Sequence, residues 1–565
     1  MITFGPMPPL AVLRPSNRIV SLAALALSAA ALLLATPAAY GQSALSHTED
    51  ATPVPAGSVR FTITNGWTRY DSRFGEHGVT RGLGDELSTD SLGPRQLPKL
   101  APVEAALQTL ASNPAQRLTL GKLDARSDAR IVTTPFAIEY GITHRLSFGV
   151  VVPLVQTRRS VQLRVNEHTA TDTARRGNTG LIPVTLRQNA SSSNAAVVAA
   201  LTTASSNLSA LLTHCQANPA APECNPIRGR EAAAAAAAQR AAEFAAGVRT
   251  AYGVTEETAV VAPLAGSQLA AQIEAQRAAL AAQLATFAPG VTVGTLFNAP
   301  TEFSYADFQG RNTVPGLLQS DFGGGLDSIR TTERIGIGDV ELRAAFMLLD
   351  HMQPDSLAAH GLRFRVAVGA SYRFGTSKAD TARNLMDIGT GDGPGAEART
   401  AIDVLSGRVG ATVAARFSTS FARTVDAALV GYPEGGFPYP LFGPVTRKNG
   451  NVLGIDVSPR VFLSEWLAFE GEYGFEHTGL PTFTGNTSEC SACAPLEGSI
   501  LPAARTVQRA GVGLRYSTID SYLRGRARYP IEVSYRHLET ITGDAGAPKL
   551  FRDQIQLRIF YRILR

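Results

Sequence analysis

Long stretches of this chain alternate between apolar and polar residues with a period of two. The stretch GLRFRVAVGASYRFG, residues 361–375, has Leu, Phe, Val, Val, Ala, Tyr and Phe at its even positions and three arginines among its odd positions. Successive side chains of a β-strand point to opposite faces of the sheet. The pattern therefore predicts a strand with one apolar face and one cationic face.

The same alternation recurs along most of the chain and predicts roughly twelve strands. They are expected near residues 57–70, 117–142, 144–165, 335–349, 361–375, 400–418, 422–433, 450–463, 465–478, 503–518, 528–541 and 550–564. An even number of alternating strands separated by turn residues is typical of an antiparallel transmembrane barrel. The predicted fold class is all-β, a roughly 12-stranded antiparallel β-barrel.

An alanine-rich segment, residues 166–334, interrupts this pattern between the third and fourth predicted strands. Three stretches in it have good helix formers inside and Gly or Pro at their ends: NAAVVAALTTASSNLSALLTHC, REAAAAAAAQRAAEFAAGVRTAYG and GSQLAAQIEAQRAALAAQLATFAPG. Each predicts a helix. We expect the chain to divide into a leader (1–41), the first barrel strands (42–165), this helical insert on the extracellular side (166–334) and the remaining barrel strands (335–565).

The first 41 residues have the features of a secretory signal peptide. Arg14 and Arg18 precede the uncharged run 19–35, and the small residues Ala39 and Gly41 flank a possible cut before Gln42. An uncleaved membrane anchor is the alternative. We expect no transmembrane helix after the leader.

The four cysteines form two close pairs in the sequence. Cys215 lies near Cys224, and Cys490 lies near Cys493. In an exported chain, an even number of clustered cysteines predicts disulfides. Zinc is the alternative, but His214 is the only imidazole near either pair.

Composition excludes some classes of protein. With 18% charged residues and a mean hydropathy of +0.02, the chain is too polar for a helical membrane protein. The net charge is +5, but the 52 basic and 47 acidic residues are interspersed, so no nucleic-acid partner is expected.

The polar faces of the strands carry arginine and glutamate, and lysine is scarce there. A soluble sheet also alternates, with its polar face in water. In a closed barrel, the apolar face contacts lipid and the charged face lines an enclosed lumen, where Arg and Glu of neighbouring strands can pair. We expect the following charged residues to face the lumen: Asp339, Glu341, Arg343, Arg363, Arg365, Arg408, Arg416, Arg460, Glu470, Glu472, Glu532, Arg536 and Arg558. They either pair and stiffen a narrow lumen or select passing solutes by charge.

The lengths of the connections predict the two rims of the barrel. If the chain starts in the periplasm, the short connections at Gly141, Asp350, Ser420, Ser464 and Ile519 lie on the periplasmic side. The longer connections, including the insert and both cysteine pairs, then lie outside, as in outer-membrane barrels. Aromatic residues expected at strand ends, and so in interfacial girdles, are Trp466, Tyr529, Phe551 and Tyr561.

Two segments carry a family resemblance. PFAIEYGITHRLSFGVVVPLV and GIGDVELRAAFMLL resemble the strand-turn-strand and Gly-x-Gly-Asp segments of the bacterial outer-membrane barrel family named for the meta-pathway of phenol degradation. The resemblance covers residues 117–165 and 335–565 and leaves the alanine-rich insert outside. It implies uptake of an aromatic compound, and no substrate residue can be transferred from it.

The sequence gives little indication of a catalytic or cofactor-binding site. Gly336 and Gly338 open a strand and not a helix, so no dinucleotide site is expected, and no phosphate-loop, zinc-protease or calcium-loop pattern is present. His477 and His537 fall on the outward phase of their strands, which keeps a lipid-facing hydrolase open as an alternative.

The function expected from these patterns is that of an outer-membrane barrel, not an enzyme. It would act as a channel or transporter for a small solute, for which the resemblance implies a hydrophobic or aromatic compound. The expected partners are outer-membrane lipid and that solute, with no cofactor and no metal. The first alternative is a non-transporting barrel that displays its helical insert for adhesion or partner binding. The hydrolase is the second.

Overall fold

A computed structural model gives the structure of the chain. It describes residues 50–562, with gaps at 86, 168–176, 289, 312–313, 321–324, 353–360, 382, 430–440 and 485–503. The predicted leader, Cys490 and Cys493 lie outside the described residues.

Strands make up most of the described chain. They are β1 (Ser58–Tyr70), β2 (Ser72–Phe74), β3 (Thr80–Gly82), β4 (Leu123–Gly141), β5 (Leu146–Val165), β6 (Thr179–Leu181), β7 (Val261–Pro263), β8 (Thr332–Ile337), β9 (Glu341–Asp350), β10 (Leu362–Arg373), β11 (Gly395–Ser406), β12 (Val409–Ser420), β13 (Arg423–Leu429), β14 (Leu441–Lys448), β15 (Val452–Phe462), β16 (Leu467–Thr478), β17 (Thr482–Thr484), β18 (Arg505–Ser517), β19 (Ile531–Gly543) and β20 (Phe551–Arg562). The helices are α1 (Ala101–Leu110), α2 (Val184–Ala217), α3 (Glu231–Ala251), α4 (Gln268–Phe287), α5 (Tyr305–Gln309) and α6 (Ile519–Leu523).

The long strands form one closed antiparallel barrel. The sheet runs β4-β1-β20-β19-β18-β16-β15-β12-β11-β10-β9-β5, and β4 also pairs with β5, which closes the ring. Closure joins the first and last strands, because Ser58 of β1 pairs with Arg562 of β20. Since β8 and β9 both pair with β5, they share one place in the ring, which therefore has twelve strands. The predicted fold class is confirmed.

One pair of predicted strands was wrong. The range 400–418 is not a single strand but the hairpin of β11 and β12, which turns at Gly407, a glycine with a φ of 56°. A left-handed φ suits a tight hairpin and favours glycine. The range 422–433 is not a barrel strand, because β13 pairs with β14 in a separate three-stranded sheet with β17. Ser420 accordingly lies at the opposite end from the short turns. The two errors cancel, so the strand count is unchanged.

The two ends of the barrel differ in the length of their connections. We call the end with residues 142–145, 351–361, 407–408, 463–466 and 518–530 the short-turn rim. The other end, the long-loop rim, carries residues 71–122, 166–331, 374–394, 421–451, 479–504 and 544–550. The chain enters β1 and leaves β20 at the short-turn rim.

The barrel is apolar outside and polar inside. On β20, Ile555 is 44% exposed, whereas Arg558 is 6% exposed. A soluble protein has the opposite distribution, because charged groups are costly to bury away from water. Trp466, Tyr529 and Tyr561 are exposed near the short-turn rim, and Phe551 begins β20 at the long-loop rim, where aromatic girdles are expected.

The exterior is mainly apolar over a height that suits a membrane. Between Val59 and Arg69, ten residues of β1 rise about 33 Å along the strand, or roughly 25 Å along the axis at a tilt of about 40°. This height is that of the apolar band of outer-membrane barrels.

A helical module covers the long-loop rim. The helices α2, α3 and α4 confirm the three predicted from the insert, and they share one apolar core with α1 and the leucines around it. Because α1 belongs to residues 71–122, the helices of this module come from two long loops. A disulfide joins Cys215 at the end of α2 to Cys224, just before α3.

By length and composition, α2 is apolar enough to cross a membrane. Its apolar side chains, such as Val197, Leu201 and Leu208, are buried in the module core, whereas its exposed side carries mainly Ala, Ser, Thr and Asn. This distribution is that of a helix packed in a folded domain, with one face buried and the other in water.

The orientation of β20 predicts the cost of a charge on the barrel exterior. Leu557 faces outward between Ile63 and Val533, inside the apolar band. We expect Leu557→Arg to lower the free energy of unfolding by about 2–4 kcal/mol, because a cation there lies near the middle of the hydrocarbon. Urea titration of the protein folded into lipid vesicles measures this.

Leu362→Arg is the matched control, because Leu362 lies at the short-turn rim and is 66% exposed. We expect its cost to be about 0–1 kcal/mol. Equal costs at the two leucines would contradict a lipid-facing band.

Candidate functional site

The inward face of one side of the barrel carries a connected network of arginines and carboxylates near the short-turn rim. Glu532 binds Arg515 at 2.6 Å and Arg558 at 3.1 Å. Glu470 binds Arg536 at 3.2 Å and lies 3.7 Å from Arg515. All five side chains are at most 12% exposed. Their mutual charges offset the cost of burying each one.

Further members extend this network. Arg460 lies 3.7 Å from Asp403 and 3.9 Å from Glu470. Glu472 lies 3.9 Å from Arg536. The network therefore extends over seven neighbouring positions of the ring, from β11 to β20 by way of β12, β15, β16, β18 and β19.

A second group of paired charges lies nearer the long-loop rim. Glu476 accepts from Arg416 at 2.6 Å and from Arg509 at 3.2 Å. On the far side of the barrel, Arg343 lies 3.4 Å from Glu341. Both groups are buried, so ion pairs occupy the interior at more than one height.

The remaining residues that were predicted to face the lumen belong to neither group of charges. Asp339 accepts from the backbone N–H groups of Ser377 (3.0 Å) and Gly393 (2.8 Å), which ties the loop 374–394 to the wall. Arg365 binds Asp350 at 3.2 Å, and Arg363 is half-buried near the short-turn rim. Arg408 lies in the turn between β11 and β12 and is exposed, so it does not join the network.

Several members of the network were absent from the sequence-based candidates. Asp403 was missed because a single strand over 400–418 gives it the same phase as the apolar residues, and the turn at Gly407 reverses that phase. Arg515 and Arg509 lie on the inward phase of β18, so the alternation alone could have identified them.

The N-terminal segment enters this interior from the short-turn rim. We call residues 50–56 the plug segment. Gly57 donates to the carbonyl of Gly141 at the rim (2.9 Å), and from there the plug segment lies inside the barrel. Ala51 is 1% exposed and Val54 is 2% exposed, as expected for a chain enclosed by the wall.

Ion pairs and hydrogen bonds hold the plug segment. The Asp50 carboxylate lies 2.6 Å from Arg515 and 3.2 Å from Arg558. The Ala51 N–H donates to Asp403 at 3.0 Å, and Arg60 donates to the carbonyl oxygen of Thr52 at 3.0 Å. Each contact joins the segment to a different strand of the wall.

The electrostatic surroundings favour an anion at this position. Burial raises the pKa of Asp50, but the nearby Arg558, Arg515, Arg460 and Arg60 lower it more, so this pKa lies well below its ordinary value. The carboxylate is therefore charged at neutral pH and contributes to holding the plug segment.

Open space remains on both sides of the plug segment. A cavity of about 500 Å³ opens between it and the short-turn rim, with Arg460, Arg515, Phe462 and Phe560 in its walls. A smaller cavity of about 70 Å³ lies between Asp50–Val54 and the wall formed by β9–β12.

Small residues form the wall behind the plug segment. Ala367 of β10 pairs with Ala401 of β11, which pairs with Ala414 of β12, and Ala345 of β9 pairs with Gly369. All of them border the smaller cavity. Small side chains therefore form part of this wall, and Glu397, Arg399 and Arg416 also border the smaller cavity.

The two outward histidines do not form a hydrolytic triad in the part of the chain that the structure describes. His537 lies between two carboxylates, Asp553 at 2.8 Å and Glu539 at 3.2 Å, so each ring nitrogen faces an acid and not a nucleophile. His477 contacts the Thr506 hydroxyl at 3.1 Å. A triad needs an acid, a histidine and a hydroxyl in one chain of hydrogen bonds.

Comparison with known proteins identifies no family. No family model matches the chain, and no curated protein matches it. Membership in the family named from the sequence resemblance therefore stays a prediction.

Several solved structures are similar to the chain at low identity. An outer-membrane channel from Pseudomonas putida F1 is 8% identical with a TM-score of 0.38, over 91% of this chain and 99% of that one. The P. putida toluene transporter TodX is 9% identical with a TM-score of 0.24, over 93% and 98%. The translocator domain of the autotransporter NalP from Neisseria meningitidis is 7% identical with a TM-score of 0.26, over 96% and 95%. Likeness of this degree carries no argument about function, which must come from the geometry of this chain.

The interior network predicts a large effect from removing one buried charge. Glu470 is 2% exposed and faces Arg460, Arg515 and Arg536. We expect Glu470→Gln to lower the free energy of unfolding by about 3–5 kcal/mol, because it leaves buried arginines without their shared counter-charge. Urea titration in lipid vesicles gives the value.

Glu539→Gln serves as the control, since the Glu539 side chain is 48% exposed on the outside of β19. Its cost should stay below about 1 kcal/mol. If both variants lost the same stability, the interior pairs would not stabilise the barrel.

Proposed function

We propose that this chain is an outer-membrane β-barrel channel for a small solute, closed at rest by the plug segment. The observation that carries the proposal is the position of residues 50–56. This short non-strand segment occupies the interior of a closed barrel and is held by ion pairs and hydrogen bonds. Such a segment can leave without breaking the barrel.

The distribution of side chains supports the membrane location. Hydrocarbon accepts only structures whose backbone groups are all paired, and a closed barrel meets this requirement. The exterior is mainly apolar over roughly 25 Å, and the charged residues are buried inside. An interior of this kind is stable only where lipid surrounds the barrel, because in water the apolar band would be left exposed.

The plug segment supports a closed resting state. The large cavity ends at this segment, and the smaller cavity begins behind it. Withdrawal of residues 50–56 toward the short-turn rim would join the two spaces along the wall of small residues. This movement would leave the strand pairing of the barrel intact.

The character of the interior suggests the class of solute. One wall of the smaller cavity suits an apolar or aromatic group of the solute. It is formed by Ala345, Ala367, Gly369, Ala401 and Ala414. The facing arginines suit a polar or anionic group on the same molecule. We therefore propose a small amphipathic solute, which refines the hydrophobic or aromatic cargo expected from the sequence.

Display of the helical module is a second candidate function. The module has its own apolar core and joins two separate loops, so it is a folded unit and not a disordered loop. Its position on the long-loop rim would place it outside the cell. Binding of a partner there is compatible with a channel below it.

The plug contacts predict the behaviour of an Asp50→Ala variant. Loss of the carboxylate leaves Arg515 and Arg558 with one anion fewer, and the closed state loses roughly 3 kcal/mol. We expect the ratio of open to closed channels to rise roughly 100-fold. Single-channel conductance in planar bilayers measures this ratio.

Asp128→Ala is the control, because Asp128 lies on the outside of β4 near the long-loop rim. It should conduct like the wild type. The proposal fails if Asp50→Ala also conducts like the wild type, or if the wild type is already fully open.

A further inference from the structure

Three arginines lie side by side on the outside of the barrel near the long-loop rim. Arg69 of β1 pairs in register with Arg130 of β4, and Arg130 pairs with Arg158 of β5. All three are exposed and have the outward phase of their strands. We call them the arginine row. Directly opposed residues of neighbouring antiparallel strands have their Cβ atoms about 5 Å apart, so three like charges are forced together.

The protein supplies only part of the counter-charge for this row. The Asp128 carboxylate lies 3.7 Å from the Nε atom of Arg130, whose side chain is still 69% exposed. Glu333 pairs in register with Arg158 but accepts a hydrogen bond from Gln156 at 2.7 Å. The guanidinium of Arg69 lies over the ring of Phe551 at 5.7 Å. Asp553 also lies near Arg69, but it accepts a hydrogen bond from Tyr535 and contacts His537. The three carboxylates near the row, Asp128, Glu333 and Asp553, thus each have another partner.

The height of the row on the barrel identifies its surroundings. The residues one step nearer the short-turn rim on the same faces are Trp67 and Val132, which belong to the apolar band. The row therefore borders the apolar band of β1 and β4, at the level where lipid headgroups lie. If the long-loop rim faces outward, as the proposed function requires, these headgroups belong to the outer leaflet.

We propose that the arginine row binds the phosphate of an outer-leaflet glycolipid of the lipid A type. Arginine binds phosphate through two parallel N–H donors, and neighbouring arginines can hold one phosphate from two sides. The acyl chains of the lipid then lie along the apolar faces of β1, β4 and β5, next to Trp67 and Val132. The ligand neutralises the charge that the row concentrates, and it fixes the barrel against its membrane.

The test compares two double variants in the full-length protein. Arg130→Gln with Arg158→Gln removes two members of the row. Arg126→Gln with Arg164→Gln is the matched control, because both arginines are exposed on the same faces of β4 and β5, farther toward the long-loop end. Native mass spectrometry of detergent-solubilised protein titrated with bisphosphorylated lipid A reports the affinity of each.

We expect the affinity to fall about fivefold for each arginine removed, and so roughly 25-fold for the row variant, and to stay unchanged in the control. Chemically dephosphorylated lipid A should bind weakly to all proteins. Equal binding by the two double variants, or equal binding of both lipids, would overturn the proposal. If the row variant does not fold on an unboiled gel, Arg158→Gln alone replaces it, with an expected fivefold loss.

Two further measurements distinguish a lipid site from a site for a soluble anion, and failure of the lipid site from failure of the proposed function. Inorganic phosphate at millimolar concentration should not displace the lipid; full displacement would assign the row to a soluble anion and overturn the lipid assignment. Conductance in planar bilayers is measured on the same samples and should be the same in the row variant and the wild type. A conducting barrel without lipid selectivity contradicts only the lipid site, whereas a protein that does not insert contradicts the proposed function.

Discussion

Complete pairing of backbone groups around a closed ring is the constraint on which the rest of this structure depends. A strand edge left open in hydrocarbon would expose unpaired N–H and C=O groups, and the pairing of β1 with both β4 and β20 removes every such edge from the ring. Closure then fixes which face of each strand is enclosed. Once the ring is closed, alternate residues have opposite environments, and the sequence must supply apolar side chains outside and compatible polar ones inside.

The enclosed face creates a second requirement, because charges placed there are far from bulk water. In this barrel one carboxylate balances the charge of several arginines. Glu470 lies within 4 Å of three arginines, and Glu532 lies within 4 Å of two. Arginine suits this role since its planar group can face two carboxylates at once, which a lysine ammonium does less well. The same network gives the plug segment its attachment, through Asp50. Stability of the wall and closure of the interior therefore depend on the same residues.

Most of the barrel could be predicted from the sequence, because a period of two is a local signal. The strands from residue 450 onward were predicted to within a few residues. The hairpin at Gly407 was not, since Ser406, Gly407 and Arg408 interrupt the alternation for too short a stretch. The contribution of α1 to the helical module was also missed, because only packing against distant helices shows it. The plug could not be predicted at all: Asp50 and Arg558 are 508 residues apart, and no local pattern connects them.

The central claim is that neighbouring residues of a strand face lipid and interior in alternation, and nitroxide labels test it most directly. Single cysteines at Ile555, Gln556, Leu557, Arg558 and Ile559 in β20 can be labelled in the protein reconstituted in lipid vesicles. The account predicts that labels at 555, 557 and 559 collide mainly with oxygen dissolved in the membrane. Labels at 556 and 558 should be shielded from oxygen. A uniform oxygen response along the strand, or one with the opposite phase, would contradict it.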